Sequence, residues 1–152
     1  MEYLADRQIR ESFEDIRNIT SILKRGSQFD PPAAAEVLET WEREHSLRLP
    51  EMYKSWLLLT SYARIIEGEF EIFMPEIAAS DRDLVRIGTI GGCGHLYFSR
   101  TNGAICSLGD EYTAYENFDA FLSYLYLMLE YEAQDEYGDA WTAIYDERFP
   151  DD

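Results

Sequence analysis

Residues 95–108 have the sequence HLYFSRTNGAICSL, and this stretch decides the fold class. Two short apolar runs flank Asn102-Gly103, the dipeptide most typical of a tight β-hairpin. If Asn102 and Gly103 are the two loop residues, Ser99 pairs with Cys106. The stretch therefore predicts two antiparallel strands.

Further strands are predicted on both sides of this hairpin. Residues 69–74 alternate charged and apolar side chains at period two, which is typical of a half-buried strand. Residues 84–90 form a second strand, and the glycine-rich segment 91–94 is a turn or bulge before the hairpin. Residues 112–115 add a last strand at the edge of the sheet.

Helices are predicted before the sheet. Residues 4–25 place apolar side chains at steps of three and four, and Gly26 suits the stop of this helix. Asp30 is expected to cap a second helix over 33–45, and a short third helix covers 50–59. The side chains expected in the core are Ile9, Phe13, Ile16, Ile19, Leu23, Val37, Leu38, Trp41, Tyr53, Trp56, Leu57 and either Leu58 or Thr60.

A further helix is predicted after the last strand. Asn117 is placed to cap it, and Phe118, Phe121, Leu122, Leu125, Met128 and Leu129 follow at helical spacing. A last helix is expected around 141–145. The fold class is therefore α+β, with N-terminal helices, a central antiparallel sheet of about four to six strands and C-terminal helices packed on the sheet. We expect one domain over residues 1–152.

The charge balance excludes several classes of function. The net charge is -17, from 13 basic and 30 acidic residues. Nucleic-acid binding is not expected because phosphate contacts need Lys and Arg, and an anionic membrane surface is disfavoured for the same reason. No run approaches the roughly 18 apolar residues of a membrane span, and the N-terminus lacks a signal-peptide pattern. With two cysteines and no disulfide framework, we expect a cytoplasmic protein.

The stretch from Thr101 to Glu147 contains eleven carboxylates and no Lys or Arg, with seven tyrosines among them. Charge of one sign builds a directed potential that speeds encounter with a basic partner, and aromatic side chains can anchor the contact. The partner-binding residues we predict are Asp110, Glu111, Tyr112, Glu116 and Asp119. The alternative is a solvated acidic surface, and for Asp119 an interaction with the helix dipole. Tyr115 is interpreted as an edge-strand residue.

Cys93 and His95 lie two residues apart beside the glycine-rich turn. A metal site would need further ligands, and a Cys–His nucleophile pair would need a geometry that neighbouring strand positions rarely give. We therefore expect no metal site, no cofactor, no catalytic residues and no disulfide between Cys93 and Cys106.

Several segments together resemble a SMI1/KNR4 domain of the SUKH superfamily. The matching segments are WERE at 41–44, LRLPEMYKSWL at 47–57, VRIG at 85–88, GGCG at 91–94, NG at 102–103 and NFDAFL at 117–122. The resemblance spans about residues 35–129. The helix at 4–25 and an acidic tail at 130–152 lie outside it.

What the resemblance implies is a binding protein without catalysis. Bacterial members of the superfamily look like immunity proteins, which neutralise polymorphic or contact-dependent toxins, so the expected partner is a basic toxin domain. Fungal members look like intracellular scaffolds, and a scaffold or regulatory interaction module is the alternative function. An enzyme using Cys93 or His95 is a third hypothesis.

Overall fold

The computed structural model describes residues 4–77, 83–91 and 94–150 and has the predicted α+β architecture, with helices before and after an antiparallel sheet. The helices are α1 (Leu4–Ile22), α2 (Ala35–His45), α3 (Glu51–Leu57), α4 (Phe118–Tyr137) and α5 (Trp141–Arg148). The strands are β1 (Gln28–Phe29), β2 (Ala63–Ile65), β3 (Phe70–Ile77), β4 (Leu84–Ile90), β5 (Gly94–Ser99), β6 (Ile105–Gly109) and β7 (Tyr112–Tyr115).

Seven strands of the described chain form one antiparallel sheet, in which the spatial order is the chain order from β1 to β7. The sheet is therefore larger than the predicted four to six strands. The two strands that the sequence analysis missed are β1 and β2, which have 2 and 3 residues. Segments this short contain no measurable alternation of apolar and polar residues, so periodicity does not detect them.

The central hairpin forms, but with a different register. Cys106 pairs with Tyr97 and not with Ser99, so the prediction for this pair was wrong by two residues. The Ser99 N–H donates to the Ala104 carbonyl over 2.8 Å, so the loop has four residues, 100–103, of which Asn102 and Gly103 are the last two. Gly103 has a φ of 74° and donates its N–H to the Ser99 carbonyl over 2.8 Å. A loop of this kind takes glycine in its left-handed position, so the dipeptide predicts a hairpin without fixing the loop length.

The first helix is shorter than predicted and ends at Ile22. Lys24 and Arg25 therefore lie in the loop that follows α1. The Lys24 backbone N–H donates to Glu136 on α4 over 2.6 Å, and the Arg25 side chain reaches carboxylates on two other segments. These long-range bonds draw the chain away from the helix axis.

The predicted cap of the second helix was also wrong. Helix α2 begins at Ala35 with Ala34 as N-cap, which has no capping side chain. Asp30 instead lies directly after β1, where its backbone N–H donates to the Tyr62 carbonyl over 2.9 Å. On α2, Leu38 is fully buried, whereas Val37, which we expected in the core, is 53% exposed.

One hydrophobic core joins α1, α3 and α4 to one face of the sheet. Tyr53 and Trp56 of α3 are fully buried and make edge-on contacts with Phe118 of α4, at ring-centroid distances of 5.6 and 6.1 Å. The Tyr53 hydroxyl donates to the Phe73 carbonyl over 2.5 Å. Of the two alternatives after α3, Thr60 is fully buried and Leu58 is 38% exposed.

The C-terminal part begins as predicted. Asn117 caps α4, since its side-chain oxygen accepts the Ala120 N–H over 2.8 Å. Helix α4 runs 20 residues to Tyr137, and α5 packs on α1 and α4. The Tyr137 hydroxyl donates to the carbonyl of Ile22 at the end of α1 over 2.6 Å. No helix in the described part of the chain is long and apolar enough to span a bilayer.

Candidate protein-binding surface

Strand β7 forms one edge of the sheet. It pairs with β6 on one side, and no other strand of the described residues lies beside it. Tyr112, Thr113 and Ala114 are exposed, and Tyr112 is 65% exposed. Edge strands keep backbone N–H and C=O groups unpaired on their outer side. The opposite edge is β1, which has only 2 residues, so β7 is the longer of the two edges.

Three of the predicted acidic residues flank this strand. Asp110 and Glu111 form the turn that enters β7, and Glu116 follows the strand directly. All three are exposed. A strand of 4 residues spans about 13 Å, so the carboxylates lie near both ends of the edge and not in one cluster.

Asp119 lies in a different environment. Its two carboxylate oxygens accept hydrogen bonds from α1, one from the Ser12 hydroxyl over 2.6 Å and one from the Gln8 side-chain amide over 3.2 Å. Asp119 is half-buried, and it connects the first turn of α4 to α1. The structure therefore brings Asp110, Glu111 and Tyr112 together, places Glu116 at the far end of β7, and turns Asp119 towards another helix.

The two tyrosines of β7 point to opposite faces of the sheet. Tyr115 faces α4, with its ring 5.5 Å from that of Phe121 and 6.3 Å from that of Tyr124. Burial raises the pKa of the Tyr115 phenol above its ordinary value, and its hydroxyl lies 3.3 Å from that of Ser107. Tyr112 points away from α4 into solvent and is the better candidate for a contact with a partner.

Helix α4 exposes an apolar flank next to β7, which we call the α4 flank and define as Tyr124, Leu127 and Tyr131. These side chains are 37%, 41% and 57% exposed. Their spacing of three and four residues places them on one side of the helix, and the contact between Tyr124 and Tyr115 places the Tyr124 end of that side beside β7. Leu127 was not among the predicted binding residues. The sequence pattern that could have identified it is its spacing of three and four residues from Tyr124 and Tyr131, which puts all three on a side of the helix that differs from the core-facing side.

One carboxylate of the acidic stretch, Glu132, is partly buried and bonds Arg25. The Arg25 side chain bonds Glu67 over 2.9 Å, Glu69 over 2.7 Å and Glu132 over 3.1 Å. These hydrogen bonds raise the pKa of Arg25. Burial and a hydrogen bond with Glu136 raise the pKa of Glu132, although Arg25 opposes this shift. Glu132 is 16% exposed and is held by Arg25, so it is a partly buried contact within the fold and not part of the surface around β7.

His95 and Cys106 lie on neighbouring strands but are not paired. His95 of β5 pairs with Leu108, and Cys106 of β6 is buried and pairs with Tyr97. Cys93 and Gly92 of the predicted glycine-rich turn lie outside the described residues, so the expectations about Cys93 stay predictions. Within the described ranges, no group of three or more His, Cys, Asp or Glu side chains has a metal-binding arrangement.

No protein-family model matches the chain, and no curated protein matches it. The resemblance to SMI1/KNR4 domains therefore rests on the sequence segments alone.

Proposed function

We propose that this protein is an immunity protein of the SMI1/KNR4 type, which binds a basic bacterial toxin domain in the cytoplasm and neutralises it by covering its surface, without catalysis. The observation that carries the proposal is the exposed edge of β7. It combines acidic residues at both ends, an exposed tyrosine and an adjoining apolar helix flank. This combination suits a protein partner because the charge steers the encounter and the apolar groups provide contact area.

The distribution of charge also supports a basic partner. The chain has a net charge of -17, and the residues from Thr101 to Glu147 include no Lys or Arg. Carboxylates held at a water-exposed surface accelerate association with a cationic surface by about 10-fold or more at low salt. Toxin domains that act on nucleic acids or nucleotides carry such cationic surfaces, since they must hold phosphate groups.

The first experiment identifies the partner and measures its charge dependence. Tagged protein is used to capture partners from the source lysate under rising salt, and bound proteins are identified by mass spectrometry. We expect one dominant basic domain at stoichiometric level. Several unrelated proteins that are lost on washing would instead indicate a scaffold or regulatory module.

The second experiment locates the contact on β7. We expect the combined change of Asp110, Glu111 and Glu116 to lysine to slow association with the captured partner about 10-fold or more. Asp119 is left unchanged because its bonds to α1 would be lost together with its charge.

A matched variant controls for net charge. It changes three exposed glutamates of α2 to lysine and so alters the charge by the same amount at a different place; these are Glu36, Glu39 and Glu44. We expect this variant to slow association by about 2-fold or less, since screening limits the effect of distant charges. Equal effects of the two variants would show that the partner does not bind at β7.

A further inference from the structure

The helix layer of this protein reaches the last strand of its sheet. Helix α4 covers the face of the sheet that holds the core, and Tyr115 of β7 already contacts Phe121 and Tyr124. Further along the same side of α4, Leu127 and Tyr131 are exposed. Since neighbouring strands lie about 4.8 Å apart, a strand added at β7 would bring its α4-facing side chains to the side of α4 that begins at Tyr124.

We propose that β7 accepts an extended segment of a basic partner as an additional strand, with alternate apolar residues packed on the α4 flank and Lys or Arg residues beside Asp110, Glu111 and Glu116. This inference rests on the proposed function in one respect, namely that the partner is basic. The outward backbone groups of β7 provide the hydrogen bonds, as in other cases where a peptide extends a sheet. A strand of 4 residues offers only a few such bonds, so the α4 flank supplies the remaining contact area.

A second copy of this chain fits the same edge poorly. Antiparallel pairing of β7 with itself, centred between Thr113 and Ala114, places Glu111 of each copy opposite Glu116 of the other. Like charges directly opposite in a sheet are destabilising, and each copy has a net charge of -17. The same carboxylates favour a strand that carries lysine or arginine near its ends. Charge complementarity therefore selects a basic segment over a second copy.

The test uses a fluorescent, end-capped peptide of about seven residues that alternates lysine and valine. Binding is measured by anisotropy, and its position by amide hydrogen exchange across β7. We expect saturable binding with slower exchange in β7, and no binding of the peptide in which glutamate replaces lysine. If the lysine peptide does not bind at concentrations up to millimolar, the inference is overturned. The acidic residues that flank β7 would then serve to protect the edge strand from aggregation.

Two methylated peptides test whether the contact is a strand pairing. Each carries N-methyl groups on one of the two alternate sets of residues, so that one peptide loses the N–H groups facing β7 and the other loses those facing solvent. We expect one of the two, and not both, to lose binding. Equal binding of both would mean that the peptide is held by charge and apolar contact alone, and would overturn the strand pairing.

Side-chain variants test the role of the α4 flank. We expect Leu127→Lys to weaken peptide binding about 10-fold, since it removes an apolar contact. Val37→Lys on α2 is the matched control, because Val37 is 53% exposed and lies on another helix; we expect it to change affinity less than about 2-fold. An unchanged affinity in Leu127→Lys would remove the α4 flank from the proposal.

Peptide binding at β7 without a captured toxin would leave this inference standing and refute the proposed function.

Discussion

Replacement of Arg25 by methionine tests whether one cation connects three separate segments of the fold. Arg25 follows α1, and its partners are Glu67 and Glu69 in the turn between β2 and β3, and Glu132 on α4. Its Nη2 also donates to the Ile66 carbonyl over 3.2 Å. Methionine keeps much of the apolar stem of arginine, so the change mainly removes the charge and its hydrogen bonds.

The expected loss of stability can be estimated from the exposure of each partner. Glu67 and Glu69 are 60% and 41% exposed, so water screens these pairs and each contributes about 0.5 kcal/mol. Glu132 is 16% exposed, and without Arg25 its charge stands beside Glu136 and loses the cation that bonds it, which costs about 1–2 kcal/mol. The total is about 2–3 kcal/mol, or a decrease in Tm of about 5–10 °C for a domain of this size.

The pH dependence of this loss provides a second measurement. The folded-state pKa of Glu132 is raised above the ordinary value of 4.5, and removal of Arg25 raises it further. A raised carboxyl pKa means that the folded state holds its proton more tightly than the unfolded state. The raised pKa of Glu132 therefore stabilises the folded state below the unfolded pKa, and this stabilisation is lost as the pH rises through the folded pKa. We expect Arg25→Met to be more destabilising at neutral pH than near pH 4.5.

The assay is urea unfolding monitored by tryptophan fluorescence, with Arg86→Met as control. Arg86 bonds Glu76 over 2.9 Å, and the two side chains are 37% and 53% exposed, so this loss should stay below about 1 kcal/mol. Glu132→Gln in the Arg25→Met background should recover about 1 kcal/mol, because it removes the uncompensated carboxylate. If Arg25→Met costs no more than Arg86→Met, the reasoning about Glu132 is refuted.

Three further substitutions test local features by the same unfolding assay. Asn117→Ala removes the cap of α4 and should cost about 1 kcal/mol; a loss below about 0.3 would mean that water replaces the cap. Gly88→Ala places a methyl group 2.4 Å from the backbone oxygen of Glu71. The substitution should therefore force β3 and β4 apart and lower the free energy of unfolding by about 3 kcal/mol. An unchanged stability would contradict this close approach. Tyr53→Phe leaves the Phe73 carbonyl without its donor and should cost about 1 kcal/mol, whereas a stabilised variant would argue against that buried bond.

Sequence patterns predicted the elements with sustained periodicity or a specific cap. Strand β4 and helix α4 are found where expected, and for α4 the reason is that apolar residues at steps of three and four extend over most of the helix. The cap at Asn117 was predicted correctly since it depends on a side chain and an amide three residues apart. The hairpin register was not predictable from Asn102-Gly103, because loops of different length accept the same dipeptide.

The candidate surface was only partly predictable. Asp110, Glu111, Tyr112 and Glu116 were placed around an edge strand from the order of elements alone, and the structure exposes all four. The positions of Leu127 and its neighbouring tyrosines became interpretable only once α4 was seen beside the end of the sheet. Whether an apolar helical residue is buried depends on what lies next to it, and a helical period does not contain that information.

The sequence by itself determined the α+β class, the antiparallel pairing and the one-sided charge, because these follow from local spacing and from composition. Tertiary structure decided which carboxylates are surface groups and which are internal contacts. Asp119 bonds Ser12 across a separation of 107 residues, and Glu132 bonds Arg25 across the same separation. Such pairs depend on the packing of α1 against α4, and no local pattern in the sequence specifies which charged residues that packing brings together.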